Sequence, residues 1–172
     1  MKPFSVQRLG AILAAILALG VILTAQPASA AVNGARFSVS RSTAAPGDRL
    51  TLTMSLTNTE DSDIYFAYGS LQPTWPANLQ DGSFTITGCP TNGVNNCYVN
   101  GNSVHFGFDV RIAPGETRTA TFTVQIAPNL TLTTPFTLNW APYVYYEYGS
   151  SRDFNKDQFW GYGLPELRTV IG

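Results

Sequence analysis

The strongest constraint on this chain is a strict two-residue alternation. Leu50, Leu52, Met54 and Leu56 alternate with Thr51, Thr53, Ser55 and Thr57. Successive side chains of a strand point to opposite faces, so this run reads as a strand with one dry and one wet face. Phe37 and Val39 form a shorter strand before it, and Ala45-Pro46-Gly47-Asp48 turns the chain between the two. Ile64, Phe66 and Tyr68 continue the pattern, and a stretch rich in turn residues runs from Gly69 to Gly82. Phe84 and Ile86 lead to Cys89. Past the turn Asn100-Gly101-Asn102, the period returns in Val104, Phe106, Phe108, Val110 and Ile112. Ala113-Pro114-Gly115-Glu116 reverses the chain, and Phe122, Val124 and Ile126 then alternate with Thr121, Thr123 and Gln125. After the first thirty residues, no window repeats apolar residues at the three-and-four spacing of a helix. Roughly seven short strands at regular spacing predict an all-β fold, an antiparallel sandwich of immunoglobulin-like type. No period of roughly 20 to 50 residues is present, which excludes a solenoid or propeller.

Residues 1–30 read as a signal peptide. Lys2 and Arg8 supply positive charge, Leu9 to Leu23 is an uncharged apolar run, and Ala28-Ser29-Ala30 is a small-residue cleavage site. The run is shorter than the ~20 residues that span a bilayer, so a membrane anchor is the weaker reading. Cleavage after Ala30 leaves one domain, residues 31–172, with no membrane span. Removing Lys2 and Arg8 from ten basic residues leaves eight against eleven acidic ones, a net of −3. Basic clusters are absent, which argues against nucleic acid and anionic membrane as partners. Export also puts Cys89 and Cys97 in an oxidising compartment. The seven residues between them include Pro90 and Asn92-Gly93, which favour a reversal that brings the sulfurs together. These cysteines are predicted to form a disulfide.

Few residues suggest chemistry, and no cofactor is implied. His105 is the only histidine, which leaves no multi-histidine metal site. Alternation with Val104 and Phe106 points it to solvent, beside Asp109 and Arg111. Glu147 lies among tyrosines, yet the sequence ties no second carboxylate to it, so it reads as an exposed edge-strand residue. Asp153, Asn155 and Asp157 have the spacing of calcium-loop ligands, but Gln158 and Leu164 occupy the positions that need Gly and Glu. A looser calcium site with Asp61 and Asp63 is the weak remaining metal candidate.

The most distinctive segment is aromatic: Trp140, Tyr143, Tyr145, Tyr146 and Tyr148, then Phe154, Phe159, Trp160 and Tyr162. Pro142 interrupts the register, with Tyr143 and Tyr145 on one face and Val144, Tyr146 and Tyr148 on the other. Tyr143, Tyr145, Trp160 and Tyr162 are the candidate ligand-binding aromatics. Two readings stand. Exposed rings would stack on sugars; alternatively residues 149–163 fold back and bury them as a second small core.

The segment from Ser40 through Ala45-Pro46-Gly47-Asp48 to Thr59, the two mid-domain cysteines and Ala113-Pro114-Gly115-Glu116-Thr117 before a Thr-rich strand resemble one family. It is an Ig-like repeat of bacterial surface proteins, catalogued as domain of unknown function number eleven. The resemblance covers residues 37–128 and fades beyond. It implies an Ig-like fold and an extracellular, cell-surface or periplasmic address, with no activity to transfer. Family members occur in tandem, and this chain carries a single copy. The expected function is a secreted, non-catalytic module for cell-surface structure or protein interaction. A carbohydrate- or wall-binding module using the aromatics of residues 140–162 is the alternative, and a small secreted hydrolase the remote one. The partner would be an extracellular protein or glycan.

Overall fold

A computed structural model of the chain describes residues 29–32, 34–74, 82–89, 93–130, 133–159 and 167–172. Among them, two sheets form. The smaller contains β1 (Ser29–Val32), β2 (Ala35–Val39), β4 (Arg49–Thr57), β9 (Thr117–Ile126) and β6 (Phe84–Thr87), in that spatial order. In the larger, β3 (Thr43–Ala44) is followed by β12 (Arg168–Ile171), β10 (Phe136–Tyr148), β5 (Ile64–Pro73), β8 (Ser103–Phe108) and β7 (Val94–Asn100). Beyond β12, a further strand β11 (Phe154–Phe159) pairs with the second half of β10. All pairings are antiparallel except that of β12 with the short β3. The predicted all-β sandwich is present. It has more strands than the seven or so that alternation revealed, because β1, β3, β11 and β7 lie at sheet edges, where apolar alternation is not required.

The core lies between the sheets. Leu50, Leu52, Met54 and Leu56 of β4 are fully buried, as are Phe122, Val124 and Ile126 of β9. From the larger sheet come Phe106, Phe108, Leu138, Trp140, Val144 and Tyr146. Phe106 meets Phe122 at 4.9 Å between centroids, and Phe84 meets Trp140 edge-on at 5.4 Å. These ring contacts tie the two layers together.

Three local readings are corrected. The run Ile64, Phe66, Tyr68 does not share one face: Ile64 is buried, whereas Phe66 is exposed and Tyr68 half-buried. The register of β5 against β10 shifts between Glu147 and Tyr148, so Tyr65 is an extra residue that inverts the facing of Phe66 and Tyr68. Residues 69–73, read as the start of a loop, belong to β5, where Ala67 and Leu71 take over the buried face. Pro142 does not break its strand. It pairs with Leu71 inside β10, at the point where the other edge of β10 passes from β12 to β11. A missing N–H is tolerated best where one side of a strand lacks a continuous partner.

The signal-peptide reading falls outside the described residues apart from Ser29 and Ala30, which lie in β1 and pair with Ser38 and Phe37. Among the described residues, no helix is long and apolar enough to cross a membrane.

Candidate ligand-binding face

The two outer faces of the sandwich differ in chemistry. On the smaller sheet, register sets Thr51 opposite Thr123, Thr53 opposite Thr121, Ser55 opposite Thr119 and Thr57 opposite Thr117. The last two pairs join hydroxyl to hydroxyl at 2.9 and 2.8 Å. That face is a ladder of hydroxyls flanked by Arg36 beside Ser55 and by Arg49, which donates to Gln125 at 2.8 Å.

The outer face of the larger sheet is aromatic. Alternation along β10 puts Val144 and Tyr146 in the core and leaves Tyr143 and Tyr145 half-buried on the outside, as the sequence grouped them. β5 contributes Phe66 and Tyr68, with Tyr145 directly opposite Tyr68 and Tyr143 opposite Ser70. β8 contributes His105, opposite Ser70 on one side and Tyr98 of β7 on the other. One ring from each of four adjacent strands forms a row, Tyr98, His105, Tyr68 and Tyr143. Their centroids step by 5.1, 6.2 and 6.0 Å. Phe66 packs edge-on against Tyr145 at 5.9 Å. Tyr98 is 54% exposed and Phe66 44%, so the patch reaches solvent at both ends.

His105 sits at the middle. Its Nδ1 lies 2.6 Å from the Tyr68 hydroxyl, and its ring is within 28° of the Tyr68 plane. The imidazole also stacks with Tyr98, at 5.1 Å between centroids and 16° between planes. Gly107, opposite Tyr68, makes room for Asn95, since a Cβ there would meet Asn95 Oδ1. The sequence correctly faced His105 outward, but its neighbours are aromatic. Arg111 instead binds Asp63 at 2.7 Å and covers the Tyr65 ring, and Asp109 accepts from Asn95.

Two carboxylates border the rings. Glu147 accepts from the Tyr145 hydroxyl at 2.9 Å, and Asp157 of β11 lies opposite Tyr145. Glu147 is therefore on an interior strand and half-buried, not at an edge. Burial, followed by the Asp157 carboxylate, pushes the Tyr143 hydroxyl up. The hydrogen bond to Glu147, followed by burial, does the same for Tyr145. Tyr68 is also raised, mainly by burial. These hydroxyls consequently remain protonated donors at any ordinary pH. No lysine or arginine occurs in β5, β7, β8 or β10.

Within residues 149–163, β11 runs beside β10 as another strand of the same sheet, and Tyr143 and Tyr145 are half-buried on the outer face. Trp160 and Tyr162 lie outside the described residues. The calcium candidates Asn155 and Asp157 are spread along this strand with Asp153 just before it. Among the described residues, no group of three acidic, histidine or cysteine side chains is placed to hold a metal. Cys89 and Cys97 are bonded, with 5.7 Å between their Cα atoms.

A two-sheet sandwich with one aromatic outer face is what these residues define. No family model matches the chain, and no curated protein matches it. Solved structures do. The BcpA major pilin subunit of Bacillus cereus is 8% identical with a TM-score of 0.49, over 78% of this chain and 38% of the pilin. A two-domain portion of the major pilin SpaD from Corynebacterium diphtheriae is 13% identical with a TM-score of 0.47, covering 73% of this chain and 50% of the other. The seventh ScaB type I cohesin from Pseudobacteroides cellulosolvens is 11% identical with a TM-score of 0.45, over 78% and 88%. This chain thus spans half or less of those two pilin chains. Likeness at this level transfers no function.

Proposed function

We propose that the protein is a non-catalytic binding module working outside the cytoplasm, and that its contact surface is the outer face of the larger sheet. The observation that carries this reading is the contrast between the two outer faces. Contiguous exposed aromatics mark interaction surfaces, and tyrosine is enriched in them because a rigid ring and a hydroxyl serve at low entropic cost. The hydroxyl ladder opposite has neither property. An address outside the cytoplasm is supported by the disulfide and by the signal-peptide character of residues 1–30. The carboxylates Glu147 and Asp157 serve here as hydrogen-bond acceptors beside the rings.

The test is retention of the purified protein on isolated cell envelopes of its source organism. A Phe66→Ser/Tyr98→Ser double variant alters the aromatic face at its two exposed ends; Thr121→Ala alters the opposite face. Retention lost in the double variant alone supports the proposal. Equal retention of all three proteins refutes it, as does loss with Thr121→Ala alone.

A further inference from the structure

We infer that the aromatic face takes an arginine-bearing segment of a partner protein, its guanidinium set against the Phe66 and Tyr145 rings and the Glu147 and Asp157 carboxylates. The inference rests on the reading of that face as the contact surface and names what it contacts. Register puts Phe66 opposite Glu147 and Tyr145 opposite Asp157, and directly opposed residues share a face. All four side chains therefore stand on the outer side, within three adjacent strands. Phe66 meets Tyr145 edge-on at 5.9 Å, and the Tyr145 hydroxyl donates to Glu147 at 2.9 Å. Phe66 and Asp157 are exposed, so a side chain arriving from solvent reaches both.

The chain already holds one guanidinium in such a setting. Arg111 lies over the Tyr65 ring at 5.0 Å, donates to its hydroxyl at 3.0 Å and binds Asp63 at 2.7 Å. Ring, phenol oxygen and carboxylate together make that seat. Tyr145, Glu147 and Asp157 present the same three groups, and a phenol donating to Glu147 keeps lone pairs with which to accept. The cations of these strands lie elsewhere. β5, β7, β8 and β10 carry none, and Lys156 of β11, opposite Tyr146 on the core side, approaches Glu60 at 3.8 Å. An acidic partner meets repulsion from the two carboxylates. Arginine suits the seat better than lysine, because its flat fork bonds a carboxylate through two N–H groups and stacks on a ring.

The probe is hexa-arginine, with hexalysine and hexaglutamate as controls, titrated calorimetrically into the purified protein at about 0.15 M salt, where long-range attraction is screened. Saturable binding of hexa-arginine is expected, weaker for hexalysine and absent for hexaglutamate. Asp157→Asn should weaken it about fivefold, the size of one exposed charge pair. Phe66→Leu removes a ring at an exposed site and should weaken it about threefold. Asp48→Asn removes the same charge on the turn into β4 of the smaller sheet and should bind like the wild type. Equal losses in Asp157→Asn and Asp48→Asn overturn the inference, because they report net charge and no seat. No binding of hexa-arginine at millimolar concentration also overturns it, as does equal affinity for hexalysine. Envelope retention separates this failure from that of the underlying reading. Retention that needs Phe66 and Tyr98 and withstands competing hexa-arginine keeps the contact face and replaces the arginine segment by another partner. Retention indifferent to Phe66 and Tyr98 removes the face itself.

Discussion

Gly69 shows how little room single residues have in this sandwich. It lies opposite Phe106 in the β5–β8 pair, and a Cβ there would sit 2.6 Å from Phe106 Cζ and 3.2 Å from Met54 Cε. Phe106 is fully buried and cannot swing aside without disturbing Phe122. Gly69→Ala should cost about 1–3 kcal/mol, the range of overpacked cores, measured by denaturant unfolding; an unchanged midpoint would mean the core yields freely. Tyr146 makes a second prediction. Its side chain is buried, and its hydroxyl donates to Glu60 at 2.7 Å. Burial, then Glu60, raises its pKa well above the ordinary 10.0. Below that ordinary value both folded and unfolded chains keep the proton, so this residue adds no pH dependence. Above it the unfolded chain releases a proton that the folded chain retains, and stability falls as pH rises towards the folded value. Tyr146→Phe should flatten the alkaline limb of the stability curve relative to wild type, and parallel limbs would contradict this. Sequence alone identified Tyr146 as facing away from Tyr145, because alternation gives the face. It did not give Glu60, whose approach depends on how a distant loop folds. His105 is the same case: its direction was legible, its partners Tyr98 and Tyr68 were not, since cross-strand register is a tertiary fact.

Among elements, β10 organises the larger sheet, pairing with β5 along one side and with β12 and β11 along the other. Its inward residues Leu138, Trp140 and Val144 keep one period through Pro142, where the sequence reading expected an interruption. The bulge at Tyr65 was not readable, because an inserted residue leaves no compositional mark. β7 is held differently. Only Val94 of that strand is buried, and most of its residues are exposed. The bond between Cys97 and Cys89 anchors it to the chain leaving β6. Replacing both cysteines by serine should therefore cost about 2.5 kcal/mol, the chain-entropy value for so short a loop. The loss should appear as faster amide exchange in β7, with β4 and β9 still protected. Uniform acceleration through all strands would show that β7 is not a separable element.

At the scale of the molecule, the sandwich is closed by the last strand of the chain. β12 fills the edge beside the first half of β10, buries Ile171 and Thr169, and receives β3. Thr169 also donates to the Arg41 carbonyl at 2.7 Å. Deleting residues 168–172 exposes Ile171's seat and leaves half of β10 unpaired, so cooperative thermal unfolding should be lost or shifted strongly downward. A variant melting like the wild type would show that this edge is dispensable. Fold class was legible at this scale because two-residue periodicity survives in β4, β8 and β9 whatever surrounds them. The aromatic face was legible only as a cluster of tyrosines in one segment, since four of its six rings arrive from β5, β7 and β8.

The pairing of Ser29 and Ala30 with β2 bears on the proposed cleavage after Ala30. A peptidase cutting after Ala30 must draw that bond, extended and unpaired, into its own groove. In the folded chain the same bond runs mid-strand, with Ala30 held against Phe37 and Ala31 against Arg36. Processing and folding then compete for one stretch of backbone. If residues 1–30 are a signal peptide, the cut belongs to the interval before the first hairpin closes, and a precursor that folded early would shelter its own cleavage site.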